Sequence, residues 1–325
     1  MKPMRTRRRF LFASLVVAIA ACGSRTGLLA PFDFDPDSGV ADAQPDRAIP
    51  RVDATADAGE EDVGEEDALP PIDVRPPEDV MVPSDCPDAS STFIYVISNS
   101  NNLYSFYPPA AALTFVGTIA CPSASTPFSM AVDHTGVAYV VFEDGHLFRV
   151  STATAACEST PFVPGQNDFA QTFGMGFSQN TGDAGETLYI AADGTLGQLA
   201  TIDVTHGYVL GVVGPFNPQI TAAELTGTGA GDLFGFWDQK SSPSSAIVQI
   251  DKATAQVTNS STLSGIAQGI GWAFAFWGGD FYTFTAPVGT TVVNRFRPSD
   301  GSLVQVLQTD QVIVGAGVST CAPRQ

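Results

Sequence analysis

"VIVGAGVSTCAPRQ", Val312 to Gln325, closes the chain as one apolar strand followed by a lone cysteine, with nothing downstream for it to pair with. A strand leaves a row of backbone donors and acceptors open on each side, so this one needs a partner from earlier in the sequence. The candidate is "FIYVIS" at Phe93, the first strand-like run of the folded region. The expectation is that Ile313–Ser319 lies beside Phe93–Ile97 and closes a ring.

That expectation rests on internal repeats. One unit is an apolar strand end running into a turn: "FYPPAAAL" from Phe106, "VSTATAAC" from Val150, "IDVTHGYV" from Ile202, "IDKATAQV" from Ile250 and "FRPSDGSL" from Phe296. Five positions into each stands a small residue, Ala111, Ala155, Gly207, Ala255 or Gly301, of the kind a tight hairpin turn tolerates. A second unit precedes each: "FIYVIS" at Phe93, "VAYVVF" at Val137, "TLYIAA" at Thr187, "DLFGFW" at Asp232 and "DFYTFT" at Asp280. A third comes before those, at Phe128, Phe173, Ala223 and Trp272, and is missing ahead of Phe93. With the strand after the turn, this makes four strands every 44 to 52 residues. Four-stranded antiparallel units at that period predict a β-propeller, and five copies predict five blades. The C-terminal strand then supplies the inner strand that the first blade lacks. No alternation of strands with helical patterns occurs, which argues against a βα-barrel.

The turn sequences "IDKATA" and "IDVTHG" resemble the "IDxxTG" pattern of the NHL, YVTN and quinoprotein-like propeller groups, over residues 93 to 320 and in architecture only. The whole chain resembles a set of uncharacterised bacterial lipoproteins with an acidic stalk and a propeller domain. That resemblance implies no activity and no site residues.

Its N-terminal features are legible on their own. Lys2, Arg5, Arg7, Arg8 and Arg9 precede the apolar run "FLFASLVVAIAA", too short to span a bilayer as a stable helix, so residues 1–21 read as a signal peptide. Ile19, Ala20, Ala21 and Cys22 resemble a bacterial lipobox, which implies a lipid on the Cys22 thiol. "TRRRFLF" (Thr6 to Phe12) resembles a twin-arginine export signal, although an ordinary basic leader explains the arginines nearly as well. Residues 22–85 are rich in Pro, Ala, Asp and Glu; between 31 and 85 there are 17 acidic residues, nine prolines and three arginines. Such a segment cannot repay the entropy of ordering and is expected to be a disordered stalk, reaching on the order of 45 Å as a flexible coil. Residues 86–325 form the propeller.

Removing the leader leaves ten basic residues against 34 acidic ones, a formal charge near −24. A chain so acidic is repelled by phosphate backbones, which argues against nucleic acid as a partner, and attachment to a membrane must come from the lipid. An exported chain can form disulfides. Cys86 precedes the second strand of the first blade and Cys321 follows its inner strand, so the two are expected at the same end of one hairpin and to pair. Cys121 and Cys157 either form a second pair or leave Cys157 as a buried thiol, simple blade geometry placing them at opposite ends.

Residues carrying chemistry are sparse. Asp33, Asp35 and Asp37 with Gly39 resemble the start of a calcium loop, but the closing bidentate glutamate is missing in a tract where aspartates abound. A propeller glycosidase needs carboxylates converging on the channel; the inner strands offer Asp133 and Glu224, at opposite ends of their strands. His134, His146 and His206 read as turn residues, and "GTGAGD" (Gly227 to Asp232) as a turn without the helix that phosphate binding requires. All three tryptophans fall in blades four and five. They read mainly as packing between blades, with the alternative that Trp237 or Trp277 reaches the rim as a stacking platform beside Asp238 or Asp280. The loops at 163–172 and 238–245 are the longest on the presumed binding face. The expectation is a monomeric binding or scaffold module without a cofactor, anchored to an outer membrane or cell surface and meeting an envelope protein or glycan. The alternative is an enzyme or a metal- or cofactor-dependent sensor with its site at the channel mouth.

Overall fold

The computed structural model describes residues 92–183, 185–238 and 244–325. The leader, Cys22, the aspartates at 33, 35 and 37, the stalk, Cys86 and most of the loop after Asp238 lie outside the described residues.

Blade one takes β1 (Ile94–Ser98), β2 (Asn102–Tyr107) and β3 (Ala112–Thr118); blade two is β4 (Pro127–Val132), β5 (Val137–Phe142), β6 (Leu147–Ser151) and β7 (Cys157–Ser159). Blade three is β8 (Phe173–Gln179), β9 (Glu186–Ala192), β10 (Gln198–Asp203) and β11 (Val209–Pro215). Blade four is β12 (Glu224–Gly227), β13 (Leu233–Asp238), β14 (Ser244–Ile250) and β15 (Val257–Ser264). Blade five is β16 (Trp272–Trp277), β17 (Asp280–Thr285), β18 (Thr291–Arg297) and β19 (Ser302–Thr309). The last strand, β20 (Ile313–Val318), pairs antiparallel with β1, setting Ile94 opposite Val318 and Val96 opposite Ala316. The sheet orders are the five four-stranded antiparallel blades that the repeats predict, with the ring closed by the C-terminal strand.

The small residue of each repeat has a conformational reason. Ala111, Ala155, Gly207, Ala255 and Gly301 have φ of 47°, 59°, 81°, 59° and 70°, so every one of these turns passes through the left-handed region, which a bulky or β-branched side chain resists. The apolar residues between turns form five buried clusters, one at each seam between neighbouring blades. Ile94, Phe106, Phe284 and Ile313, for example, join blade five to blade one. Ile97, Met130, Val140 and Val150 join blade one to blade two.

The inner strands β20, β4, β8, β12 and β16 line a central channel. Its upper end carries the linkers that enter the inner strands and the turns between second and third strands. Its lower end carries the turns on either side of those pairs. The chain enters at Thr92 on the lower side, where the Trp277 indole N–H donates to the Thr92 carbonyl at 2.8 Å.

Cys121 and Cys157 are disulfide-bonded, with Cα atoms 5.2 Å apart. Simple blade geometry misleads here because each blade twists, swinging the exit of its outer strand towards the outer turn of the next blade. A Cβ on Gly117 would sit 2.8 Å from that of Ala155. The same crossing recurs between blades three and four, where Val257, which holds the repeat position of Cys157, donates its N–H to the Asn217 carbonyl at 2.9 Å. The disulfide therefore replaces a backbone bridge with a covalent one. At a separation of 36 residues it contributes about 3–4 kcal/mol in the chain-entropy account. Cys321 is buried and itself disulfide-bonded; Cys86, the partner expected for it, lies outside the described residues.

Candidate functional site

The two ends of the channel differ. At the lower end the tail after β20 runs across the opening. The Thr320 hydroxyl donates to Glu186 Oε2 at 2.7 Å in blade three, Cys321 Sγ lies 3.7 Å from the His134 carbonyl in blade two, and the Pro323 carbonyl accepts from Gly278 N–H at 2.7 Å in blade five. In blade four, a Cβ on Gly229 would lie 2.4 Å from the Thr320 carbonyl oxygen. Glu186 ties this cover down, its Oε1 accepting from the His134 backbone N–H at 2.7 Å and sitting 2.8 Å from His134 Nδ1. His134 is thus half-buried and engaged rather than a free turn residue. Burial holds the Glu186 carboxyl above the usual range, against the pull of its hydrogen bonds to His134 and Thr320.

At the upper end the channel opens into a cavity of about 120 Å³, walled by Phe128, Glu143, Glu224, Ile270, Trp272 and Val314. Four of the five inner strands or their entry linkers contribute, which identifies it as the mouth. Glu224 is at its base, 3 % exposed, and its Oε2 accepts a 2.7 Å hydrogen bond from the Ser129 hydroxyl across the channel. Burial pushes the Glu224 carboxyl well above the usual range. The Ser129 and Met175 hydrogen bonds oppose that shift, and the nearby Asp193 carboxylate adds to it. Glu143 ends the hairpin of blade two, its N–H donating to the Thr126 carbonyl at 2.9 Å. Asp193 stands at the same repeat position in blade three, its N–H donating to the Thr172 carbonyl at 3.0 Å and its Oδ2 accepting from the Thr172 hydroxyl at 3.3 Å. Trp272 opens β16 and packs edge-to-face on Phe236, with ring centroids 6.0 Å apart.

Glu224 gives a test of this electrostatic picture. A carboxyl whose pKa is higher folded than unfolded takes up protons on folding, so its contribution is lost as pH rises from the ordinary value of 4.5 towards the elevated one. Glu224→Gln keeps the shape and an acceptor for Ser129 but does not ionise. The variant is expected to gain stability over the parent by about 1.4 kcal/mol for every pH unit across that window, and to show no gain below it. Chemical denaturation at a series of pH values reads this directly. A gap that stays constant with pH would contradict the assignment.

Of the four candidate rim residues, Trp277 and Asp280 are engaged on the lower side. Trp277 bonds Thr92 and meets Tyr107 edge-on, with ring centroids 6.4 Å apart. Asp280 is buried under the Arg297 guanidinium, accepting at 3.0 and 3.1 Å, with Arg295 Nε 3.6 Å away. Trp237 packs into the seam between blades three and four, and Asp238 is exposed at the upper end of β13. The aromatic richness of blades four and five resolves instead into a crevice of about 370 Å³ at their seam, lined by Phe234, Phe276, Phe281 and Phe296 with Gln249 and Arg324 at its polar edge. The inner strands alone offered Glu224 but missed the other upper acids. A repeat column carries them, because the residue following the second unit is Glu143, Asp193 and Asp238 in blades two, three and four. Among the described residues no group of three or more His, Cys, Asp and Glu is placed to hold a metal ion.

No family model matches this chain, and no curated protein matches it. Solved structures to which it is similar include a chain of a nidogen/laminin complex, with a TM-score of 0.44 and 12% identity over 73% of this chain and 83% of that one. TolB from Acinetobacter baumannii gives 0.39 and 15% over 68% and 54%. The Dos1 propeller gives 0.38 and 13% over 73% of each. Likeness at this level carries nothing about a ligand or a reaction.

Proposed function

We propose that the protein is an exported, lipid-anchored propeller that acts as a binding or scaffold module at the cell envelope. Cys22 carries the lipid in this reading, residues 22–85 are the spacer, and Cys86 pairs with Cys321 where spacer meets ring. The fold itself suits a binding or scaffold role in general. The observation that carries the reading further is the inequality of the two channel ends. The chain enters on the lower side at Thr92 and the tail covers the lower opening, while the upper mouth is an open cavity. A tether that joins on the lower side leaves the upper face unobstructed for an envelope protein or glycan.

Two or three acyl chains at about 0.8 kcal/mol per buried methylene suffice for stable anchoring. Cys22→Ser is therefore expected to move the protein from the membrane fraction to the soluble one, and mass spectrometry of the N-terminal peptide to find the lipid on Cys22. A Cys22→Ser protein that stays with the membrane would reverse the reading. A second reading, an enzyme or a metal- or cofactor-dependent sensor, draws on Glu224, since a carboxyl whose proton affinity is raised by burial beside an open cavity is suited to proton donation. Stoichiometric metal in the purified full chain, or turnover abolished by Glu224→Gln, would favour it.

A further inference from the structure

Charge and apolar surface are distributed unevenly over the ring. Eight large apolar side chains are exposed among the described residues; four lie on outermost strands, and the other four, Val163, Leu196, Ile270 and Val288, all lie in upper loops or linkers. Ile270, 70 % exposed, lines the mouth from the linker entering blade five, and Leu196 at 68 % and Val288 at 84 % exposed stand on hairpin turns of blades three and five on the same face. The acids Glu143, Asp193, Asp238 and Glu224 share that face. The five basic residues of the described propeller, Arg149, Lys252, Arg295, Arg297 and Arg324, sit on the flank or the lower side. Among the described residues one face is therefore both acidic and apolar, with an indentation in it.

The size and lining of that indentation restrict what enters it. Its volume of about 120 Å³ is smaller than the roughly 150 Å³ of an enclosed cavity that holds benzene, so it suits a side-chain tip better than a whole sugar ring. Phe128 and Trp272 supply aromatic rings, the exposed Glu143 the negative charge and the buried Glu224 a carboxyl oxygen as acceptor, a lining that together attracts an ammonium or guanidinium group. Exposed apolar side chains around such a hole exclude water from a central charged contact, the arrangement of a protein interface. We infer that the upper face docks a basic segment of a partner protein, one lysine or arginine side chain entering the mouth between Phe128, Trp272, Glu143 and Glu224 while apolar neighbours cover Leu196, Ile270 and Val288. This deepens, and rests on, the reading of the upper face as the binding face.

The test uses the full mature chain carrying Cys22→Ser, with the Trp272 indole N–H resonance, assigned through Trp272→Phe, as reporter. Titration with N-acetyl-lysine methylamide is expected to shift that resonance, and the norleucine analogue, apolar and of similar length, to leave it in place. Glu143→Gln, an exposed position safe for folding, is expected to weaken the lysine analogue about tenfold. Because the reporter is in the mouth, binding of the probe to the acidic stalk does not register. Equal shifts with both analogues, no shift with either, or an affinity indifferent to Glu143→Gln would each overturn the inference. A photo-crosslinker at Ile270, used in cells, separates the two levels. Links to a protein segment bearing a lysine or arginine support the inference. Links to an acidic segment or a glycan overturn it and leave the binding-module reading standing. Absence of any link overturns both.

Discussion

A chain ending at Gln311, without β20, is expected to fail to fold cooperatively. The strand is an interior element despite its position in the sequence: Ile313, Ala316 and Val318 are buried, and across the register lie Ile94, Val96 and Ile97, all fully buried. Removing it uncovers those residues, leaves β1 as an unpaired edge, and opens the ring on both sides, because β20 packs against β4 of blade two and β16 of blade five. Two of the five seam clusters lose a wall at once. Each fully buried aliphatic side chain is worth about 1.5–3 kcal/mol, so the loss rivals the roughly 5–15 kcal/mol that holds a domain together. Circular dichroism should show no cooperative thermal transition, and limited proteolysis should cut throughout the domain. A chain lacking only Arg324 and Gln325 is the control and should melt as the parent does. A cooperative transition near the parental temperature in the longer truncation would mean that β20 is not part of the closed ring.

The legibility of that closure has a physical cause. A four-stranded repeat that starts one strand short and ends one strand over leaves two open edges, and a single pairing removes both. The turn column was equally readable, since a left-handed φ restricts what Ala111, Ala155, Gly207, Ala255 and Gly301 can be. The Cys121–Cys157 bond was legible only as one of two alternatives, because the choice depends on blade twist, a property of the assembled sheet that no spacing records. The mouth was half legible. Glu224 stands out on an inner strand, but Glu143 and Asp193 come from hairpin ends, and only the folded ring shows that hairpin ends crowd the channel. Trp277 and Asp280 carry the same residue types as a ligand platform; what separates packing from binding is whether an indole N–H or a carboxylate already has a partner, and Thr92 and Arg297 supply those partners here.

Crowding at the hub makes the second large effect. In a propeller the circumference shrinks towards the axis, so inner strands of adjacent blades approach more closely than the blades do further out. At the seam of blades three and four the contact is backbone against backbone. A Cβ on Gly174 would fall 2.0 Å from the Ala223 carbonyl oxygen and 2.7 Å from the Glu224 Cα, and one on Gly176 would fall 2.7 Å from the Leu225 carbonyl. Gly174 has no left-handed φ, so its role is steric. Rotamer change cannot relieve a clash with main chain, and Gly174→Ala must push β12 outwards. The expected cost is about 3–5 kcal/mol, above the usual range for an added methyl because the obstacle cannot move independently. Gly211→Ala is the control. It lies on the exposed outer strand β11, where the nearest obstacle is the Thr201 hydroxyl at 3.2 Å, and should stay within about 1 kcal/mol of the parent. The displacement in Gly174→Ala also moves the strand that begins with Glu224, stretching its 2.7 Å hydrogen bond from Ser129. The pH-dependent stability difference between Glu224 and its glutamine variant should therefore shrink in the Gly174→Ala background. If the two substitutions prove additive at every pH, the hub glycine and the mouth carboxyl are energetically independent, and close packing of the inner strands does not set the geometry of the upper cavity.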